Sequence, residues 1–268
     1  MSLSIGSLWA STAGQTDLVG RSLERLASGS RLNSSDDAAG LAIADGARLD
    51  TRISAQAIRN ANDALSAARI ADDALGRVGD LTGRMAELAA QAASGLLNDA
   101  QRGALEKEFG ALHDEIDRTA STTTFNDTNL LTGGTTTVQV GSTGGPESQL
   151  PLTGVDASAS SLGLAGASLA TQDGARAAID AVAGAADTVA LARAALGAEE
   201  SRVTATIATL RVRTEQQSAA AGQIEDADYA AESASELSQL IRGRLGVAVQ
   251  AQANQRAGDV LALLSSRR

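Results

Sequence analysis

The chain has 268 residues, a formal net charge of −10 and side chains that are 43% hydrophobic but only 1% aromatic. Ligand pockets are walled largely by apolar and aromatic side chains, and nucleic-acid binding requires a basic patch. This composition therefore argues against an enzyme with a cofactor and against a nucleic-acid binder. The sequence contains no cysteine, which excludes disulfides and thiolate metal sites.

The N-terminal segment gives no sign of a cleaved secretion signal. Residues 1–6 lack the basic n-region and the apolar h-region of a signal peptide. No stretch of the chain reaches the ~18 consecutive apolar residues that are typical of a membrane span. We therefore expect no membrane span, and either a cytoplasmic protein or one that is exported with its N-terminus intact.

Long helices are predicted on both sides of a short centre. Both prolines, Pro146 and Pro151, lie in that centre, and proline costs ~3 kcal/mol inside a helix. In the first arm, apolar residues recur from position 53 to position 92 at alternating spacings of four and three, which predicts a coiled-coil-like seam. The large members of this rod seam are Ile53, Val78, Leu81, Met85 and Leu88.

A shorter helix is predicted next. Asn98 is a candidate N-cap with Gln101 three residues later, an arrangement similar to a capping box. The Gly95 region would let this helix fold back on the preceding one. It continues the rod seam at the same alternating spacings through Leu105, Phe109, Leu112 and Ile116.

The centre, at about residues 132–168, is rich in Gly, Ser and Thr. Residues 135–140 alternate between polar and apolar side chains, and Gly144 and Gly145 follow as turn residues. With residues 150–155 as the return strand, this pattern predicts a small central β-hairpin.

The second arm mirrors the first. Fourteen positions between 179 and 224 follow the same spacing, and ten of them are apolar, including Val203, Ile207 and Leu210.

The two terminal segments carry many aliphatic residues that have no evident partner within one chain. Leaving such side chains in water forfeits ~1.5–3 kcal/mol each, so these segments either stay disordered or bind other copies of the chain. This argument favours polymerisation. The residues concerned are Leu8, Val19, Leu23, Leu26, Leu237, Leu240, Leu245, Val249, Leu261 and Leu264.

Several segments closely resemble the signatures of bacterial flagellins. They occur in the correct order and are spread over nearly the whole chain. The longest match reads LERLASGSRLNSSDDAAGLAIA. The matching segments are residues 23–44, 59–63, 115–118, 124–126, 161–164, 224–230 and 250–255.

The resemblance implies a mainly α-helical rod of residues 34–229, with the small β element and no large outer domain. Residues 1–33 and 230–268 would pair as a coiled coil that lines the inner tube of a filament. It also implies a motility filament outside the cell, export through the flagellar type III apparatus, an export chaperone on the C-terminal segment, and junction and cap proteins as further partners.

Flagellins can also be sensed by an animal Toll-like receptor through one Arg, one Leu and one Glu. Alignment by motif places these at Arg84, Leu88 and Glu108. The alternative interpretation is that Leu88 belongs to the rod seam and that the two charged residues form a solvated helix face.

Two other functions stay open at this point: a hook–filament junction protein of the same superfamily, and a long-helical secreted adhesin. No catalytic or metal site is predicted. The only histidine, His113, lacks a second histidine or a cysteine, and Asp72 and Asp73 are adjacent residues that point to different helix faces.

Overall fold

The computed structural model describes residues 5–32 and 37–265, with side chains for residues 17–32, 37–253, 255 and 256. It is mainly α-helical, as predicted. The long helices fall in the proline-free arms, where each residue can complete the backbone hydrogen-bond pattern. The helices are α1 (Ile5–Ser28), α2 (Ala38–Ala92), α3 (Asp99–Thr122), α4 (Gln172–Glu225) and α5 (Tyr229–Ser265).

The chain divides into two compact units. The first unit comprises Met1–Leu49 and Gln216–Arg268, and the second comprises Asp50–Glu215. Both boundaries lie inside long helices, whereas the sequence placed them at 33/34 and 229/230. An ion pair between Arg48 of α2 and Glu225 of α4 helps to explain this difference, because it ties the ends of these two helices to the first unit.

The start of α3 has the predicted cap. The Asn98 side chain accepts from the backbone N–H of Gln101 at 2.9 Å, and the Gln101 side chain accepts from the N–H of Asn98 at 3.0 Å. α3 then runs back along α2, where Arg84 of α2 donates to Glu108 of α3 at 2.8 and 3.1 Å. The predicted fold-back at the Gly95 region is therefore present.

Two antiparallel hairpins follow α3. β3 (Thr135–Gln139) pairs with β4 (Gln149–Thr153), as predicted from the alternating pattern. β1 (Thr124–Phe125) pairs with β2 (Thr128–Asn129) and was not predicted. Its turn residues, Asn126 and Asp127, have φ of 48° and 60°. Two-residue hairpins favour positive φ at both positions, and Asn and Asp tolerate that conformation.

The hydrophobic core lies in the second unit, where α2, α3 and α4 meet. Many of its members are alanines, whose small side chains let helix backbones approach each other closely. Of the predicted rod seam, Ile53, Leu81, Leu105 and Leu112 are half-buried. The buried members are Val78, Met85, Leu88, Phe109, Ile116, Val203, Ile207 and Leu210.

Carboxylates of α3 fasten the connection between β4 and α4. Asp117 accepts from the N–H of Ala159 at 2.8 Å. Glu106 accepts from the hydroxyl of Ser168 at 3.0 Å and from the N–H of Leu169. These contacts hold the connection while its leucines enter the core.

The backbones next to β3 and β4 approach each other closely at Gly154. A Cβ atom at this position would lie 2.0 Å from the carbonyl oxygen of Gly134. We expect Gly154→Ala to lower the thermal midpoint of the second unit by several degrees, because backbone atoms must move to admit the methyl group. Gly144→Ala is the matched control, since its Cβ would meet nothing within 4 Å. Equal midpoints for the two variants would contradict the close approach.

Two carboxylates of the second unit are stabilised in their charged form. The Arg193 guanidinium donates to Asp72 at 2.8 and 3.1 Å and lowers the pKa of that carboxyl. The hydroxyl of Ser161, together with the N–H of Ser158, likewise lowers the pKa of Asp156.

Acid is therefore expected to weaken the second unit. A carboxyl whose pKa is lower in the folded state contributes stability that is present above its unfolded pKa, ~3.9 for Asp, and is lost as pH falls through the folded value. The urea midpoint should fall as the pH is lowered from about 5 to about 2, and Asp72→Asn should reduce that slope. A midpoint that stays constant over this range would refute the expectation.

Candidate assembly surface

The first unit has a short backbone clasp between its two chain segments. The N–H of Arg31 donates to the carbonyl of Glu225 at 2.6 Å, and the N–H of Ala227 donates to the carbonyl of Gly29 at 3.0 Å. Gly29 has a φ of 70°, which suits the residue that ends α1. The clasp fixes the point where α1 ends next to the turn between α4 and α5.

Beyond the clasp, α1 packs along α5. The Tyr229 hydroxyl donates to the carbonyl of Leu26 at 2.6 Å. Arg25 and Glu232 form an ion pair at 3.9 Å. Ser22 of α1 is buried to 3% exposure, so a polar residue lies where a conventional helix pair would place an aliphatic one.

The less exposed side of α5 is also polar. Half-buried residues recur there at helical spacing, and they are Glu232, Ser235, Glu236, Gln239, Gly243 and Gln250. The buried side-chain oxygen Oε1 of Gln239 has no hydrogen-bond partner among the described residues. α5 therefore turns a polar face inward, towards the protein.

The exposed side of α5 carries several large aliphatic residues, alongside Arg242 and Arg244. Leu237, Leu245 and Val249 are 60%, 59% and 64% exposed. We call the exposed aliphatic residues of α1 and α5 the terminal apolar surface. Its described members are Leu18, Leu23, Leu237, Leu240, Ile241, Leu245, Val247 and Val249.

The first unit has almost no core of its own. Among its described residues, the buried ones are Ser22, Ala44 and Ala221. A large exposed apolar patch marks an interaction site or an aggregation hazard. The arrangement fits a surface whose partner is another molecule.

The sequence-predicted terminal residues divide into three groups. Leu23, Leu237, Leu240, Leu245 and Val249 are exposed on the terminal apolar surface. Val19 and Leu26 of α1 are half-buried, and the side chains of Leu8, Leu261 and Leu264 lie outside the described residues.

Sequence reasoning missed Ile43 and Leu49, which are 60% and 58% exposed near the start of α2. Their separation of six residues does not follow the alternating spacing of the rod seam, so the period gave no signal for them.

The three residues of the receptor resemblance have different environments. Arg84 is ion-paired with both Glu108 and Glu87, and these hydrogen bonds raise its pKa. Leu88 is only 1% exposed and belongs to the core. Leu88 therefore packs as a rod-seam residue, whereas the side chains of Arg84 and Glu108 are 50% and 47% exposed.

No group of three or more His, Asp or Glu side chains that could hold a metal ion occurs in the described part of the chain. His113 lies 3.7 Å from Asp114 and 3.9 Å from Asp117, as a partly exposed helix residue.

Within residues 5–32 and 37–265, one helix, α4, is long and apolar enough to cross a membrane by length and composition alone. Core helices of soluble proteins also meet this criterion. α4 contributes Ala178, Val182, Ala185 and Val189 to the core.

Comparison with known proteins accounts for the pattern. Residues 10–136 match the bacterial flagellin N-terminal helical region, and residues 179–264 match the bacterial flagellin C-terminal helical region. A flagellin from Halalkalibacterium halodurans is 38% identical over 247 residues, which is 91% of each chain. The flagellar filament 30.7 kDa core protein of Treponema maltophilum is 34% identical, with 93% of each chain covered.

A solved structure also resembles this chain. The crystal structure of Bacillus cereus flagellin superposes with a TM-score of 0.51 at 29% identity, covering 57% of this chain and 88% of that one. Together with the matched helical regions at both ends, this places the chain in the bacterial flagellin family, whose members are structural subunits of the flagellar filament.

Proposed function

We propose that this flagellin assembles into an extracellular filament through its terminal apolar surface, which becomes buried between neighbouring copies. The observation that supports this most strongly is the orientation of α5, whose polar side faces the protein while Leu237, Leu245 and Val249 face solvent. Covering each such side chain is worth ~1.5–3 kcal/mol, and a second copy of the chain offers the same uncovered residues in return.

The sequence-based division of the chain fits this proposal. Residues 1–33 and 230–268 would form the inner tube and residues 34–229 the rod around it, and the charge of −10 would keep single copies apart before assembly. The clasp between Gly29 and Ala227 joins the end of the first inner-tube segment to the turn that precedes the second.

Further partners follow from the family. We propose that an export chaperone covers the C-terminal segment before assembly, that export leaves the N-terminus uncleaved, and that junction and cap proteins bind the filament ends. Recognition by a Toll-like receptor would have to use Arg84 and Glu108 and not Leu88. The family is one of structural proteins, and we propose no enzymatic activity.

Polymerisation of the purified chain tests the proposal. Concentrated monomer that is seeded with short filament fragments should form long filaments under the electron microscope and sediment. A junction protein should not form long homopolymers, and an adhesin should stay monomeric or form small oligomers. Monomer that remains unpolymerised after seeding would refute the proposal.

A further inference from the structure

The second unit has a protruding leucine at the corner between α2 and α3. Leu96 is 95% exposed. The other exposed large apolar residues of this unit, Ile70, Leu191 and Val212, lie within the long helices. Leu96 instead lies on a turn, where its whole side chain projects from the surface.

The corner that carries Leu96 is held rigidly. The guanidinium of Arg102 donates to the carbonyls of Ala92, Ser94 and Leu97 at 3.4, 3.2 and 2.7 Å. Gln172 of α4 donates to the carbonyl of Ala93 at 3.0 Å. A preordered projection loses little conformational entropy when it binds, so the corner is well suited to insert into a partner.

The same unit has a cleft of about 330 Å³ between α2 and the two hairpins. Ligand sites usually measure ~300–1,000 Å³. This cleft lies at the lower end of that range and is large enough for a few side chains. Six of the thirteen lining residues are apolar, among them Ala64, Leu130 and Leu152, and seven are polar, among them Asp63 and Thr137.

The corner follows the C-terminal end of α2, whereas the cleft is lined by residues near the middle of that helix. Ala64 and Ala92 are separated by 28 residues of one continuous helix, which at 1.5 Å per residue is ~40 Å. A chain therefore cannot insert Leu96 into its own cleft. A contact between two different surfaces of identical molecules is heterologous, and it extends into a ring or an open polymer.

We propose that Leu96 of one copy inserts into the cleft of the next copy, so that the second units join head to tail. This inference rests on the proposed function and names one contact within the polymer. The polar groups match as well: the N–H of Gly95 has no acceptor among the described residues, and the Asp63 carboxylate at the cleft supplies one. The leucine side chain covers the apolar lining.

Cross-linking tests the contact directly, because the sequence has no cysteine to give a background. Leu96→Cys and Thr137→Cys chains are mixed, polymerised with seeds and treated with a short bismaleimide. We expect covalent dimers in the polymer and none in unseeded monomer. The matched control mixes Leu191→Cys with Thr137→Cys, since Leu191 is also exposed, at 72%, and should give no dimer.

A second measurement does not depend on cysteine chemistry. Leu96→Asp should raise the critical concentration for polymerisation at least about ten-fold, because a carboxylate next to Asp63 of the cleft would replace a buried leucine. Its circular dichroism and thermal midpoint should match those of the wild type, since Leu96 touches little in its own chain.

The outcomes separate the two proposals. Wild-type filaments without a cross-link between positions 96 and 137, or an unchanged critical concentration for Leu96→Asp, would overturn the corner contact alone. Equal cross-linking through position 191 would also overturn it. A wild-type chain that forms no filaments would overturn the proposed function itself.

Discussion

Replacing Leu237 and Leu245 together with aspartate is expected to abolish filament growth. Both side chains lie on the terminal apolar surface and are about 60% exposed in the single chain, so the substitution places two charges where the proposed polymer excludes water. An unpaired buried charge costs several kcal/mol, and the variant also loses the burial of two leucines, which is worth ~1.5–3 kcal/mol each. Seeded growth should be undetectable by sedimentation and electron microscopy.

The double substitution is not expected to change the stability of the folded single chain. Leu191→Asp is the matched control, because it makes the same substitution at an exposed leucine (72%) of the second unit, outside the terminal apolar surface. The double variant should retain the wild-type thermal midpoint of the second unit. If Leu237→Asp with Leu245→Asp still polymerised at the wild-type concentration, α5 would not be an assembly surface.

Leu88→Ala is expected to lower the free energy of unfolding of the second unit by about 2–5 kcal/mol, the usual cost of a leucine-to-alanine cavity in a core. Leu88 is 1% exposed and belongs to the cluster formed by α2, α3 and α4. The loss should appear as a lower urea midpoint with an unchanged slope.

Leu96→Ala is the control for Leu88→Ala, because the same substitution at 95% exposure should change unfolding by less than about 0.5 kcal/mol. If Leu88 were a surface residue that contacts a receptor, Leu88→Ala would leave the free energy of unfolding unchanged. A core role for Leu88 predicts a large loss. If Leu88→Ala left stability unchanged, the side chain would not be packed, and the surface interpretation would regain its basis.

The sequence predicted the parts of the fold that follow a local rule. The spacing of four and three identified Val78, Met85 and Leu88 because a helix face repeats at that period. The capping box at Asn98 was readable because its two partners are three residues apart. The hairpin of β3 and β4 was readable because alternation continued for five residues.

Other features follow no local rule. β1 and β2 have two residues each, too few to display alternation. The hydrogen bonds of Arg102 to three carbonyls depend on how the chain turns at the corner, which the helical period does not encode. For the same reason, the sequence identified Leu237 and Leu245 as apolar without indicating which side of α5 faces the protein.

The polar contact between α1 and α5 has a consequence for how growth begins. The ion pair of Arg25 with Glu232 is long, at 3.9 Å, and contributes on the order of 1 kcal/mol, so a solitary pair of terminal helices separates readily. A newly arriving chain meets a filament end on which these helices are already ordered, whereas two free chains must order theirs at the same time. Spontaneous nucleation should therefore be slow, elongation fast, and a population of free chains should persist until a template is supplied.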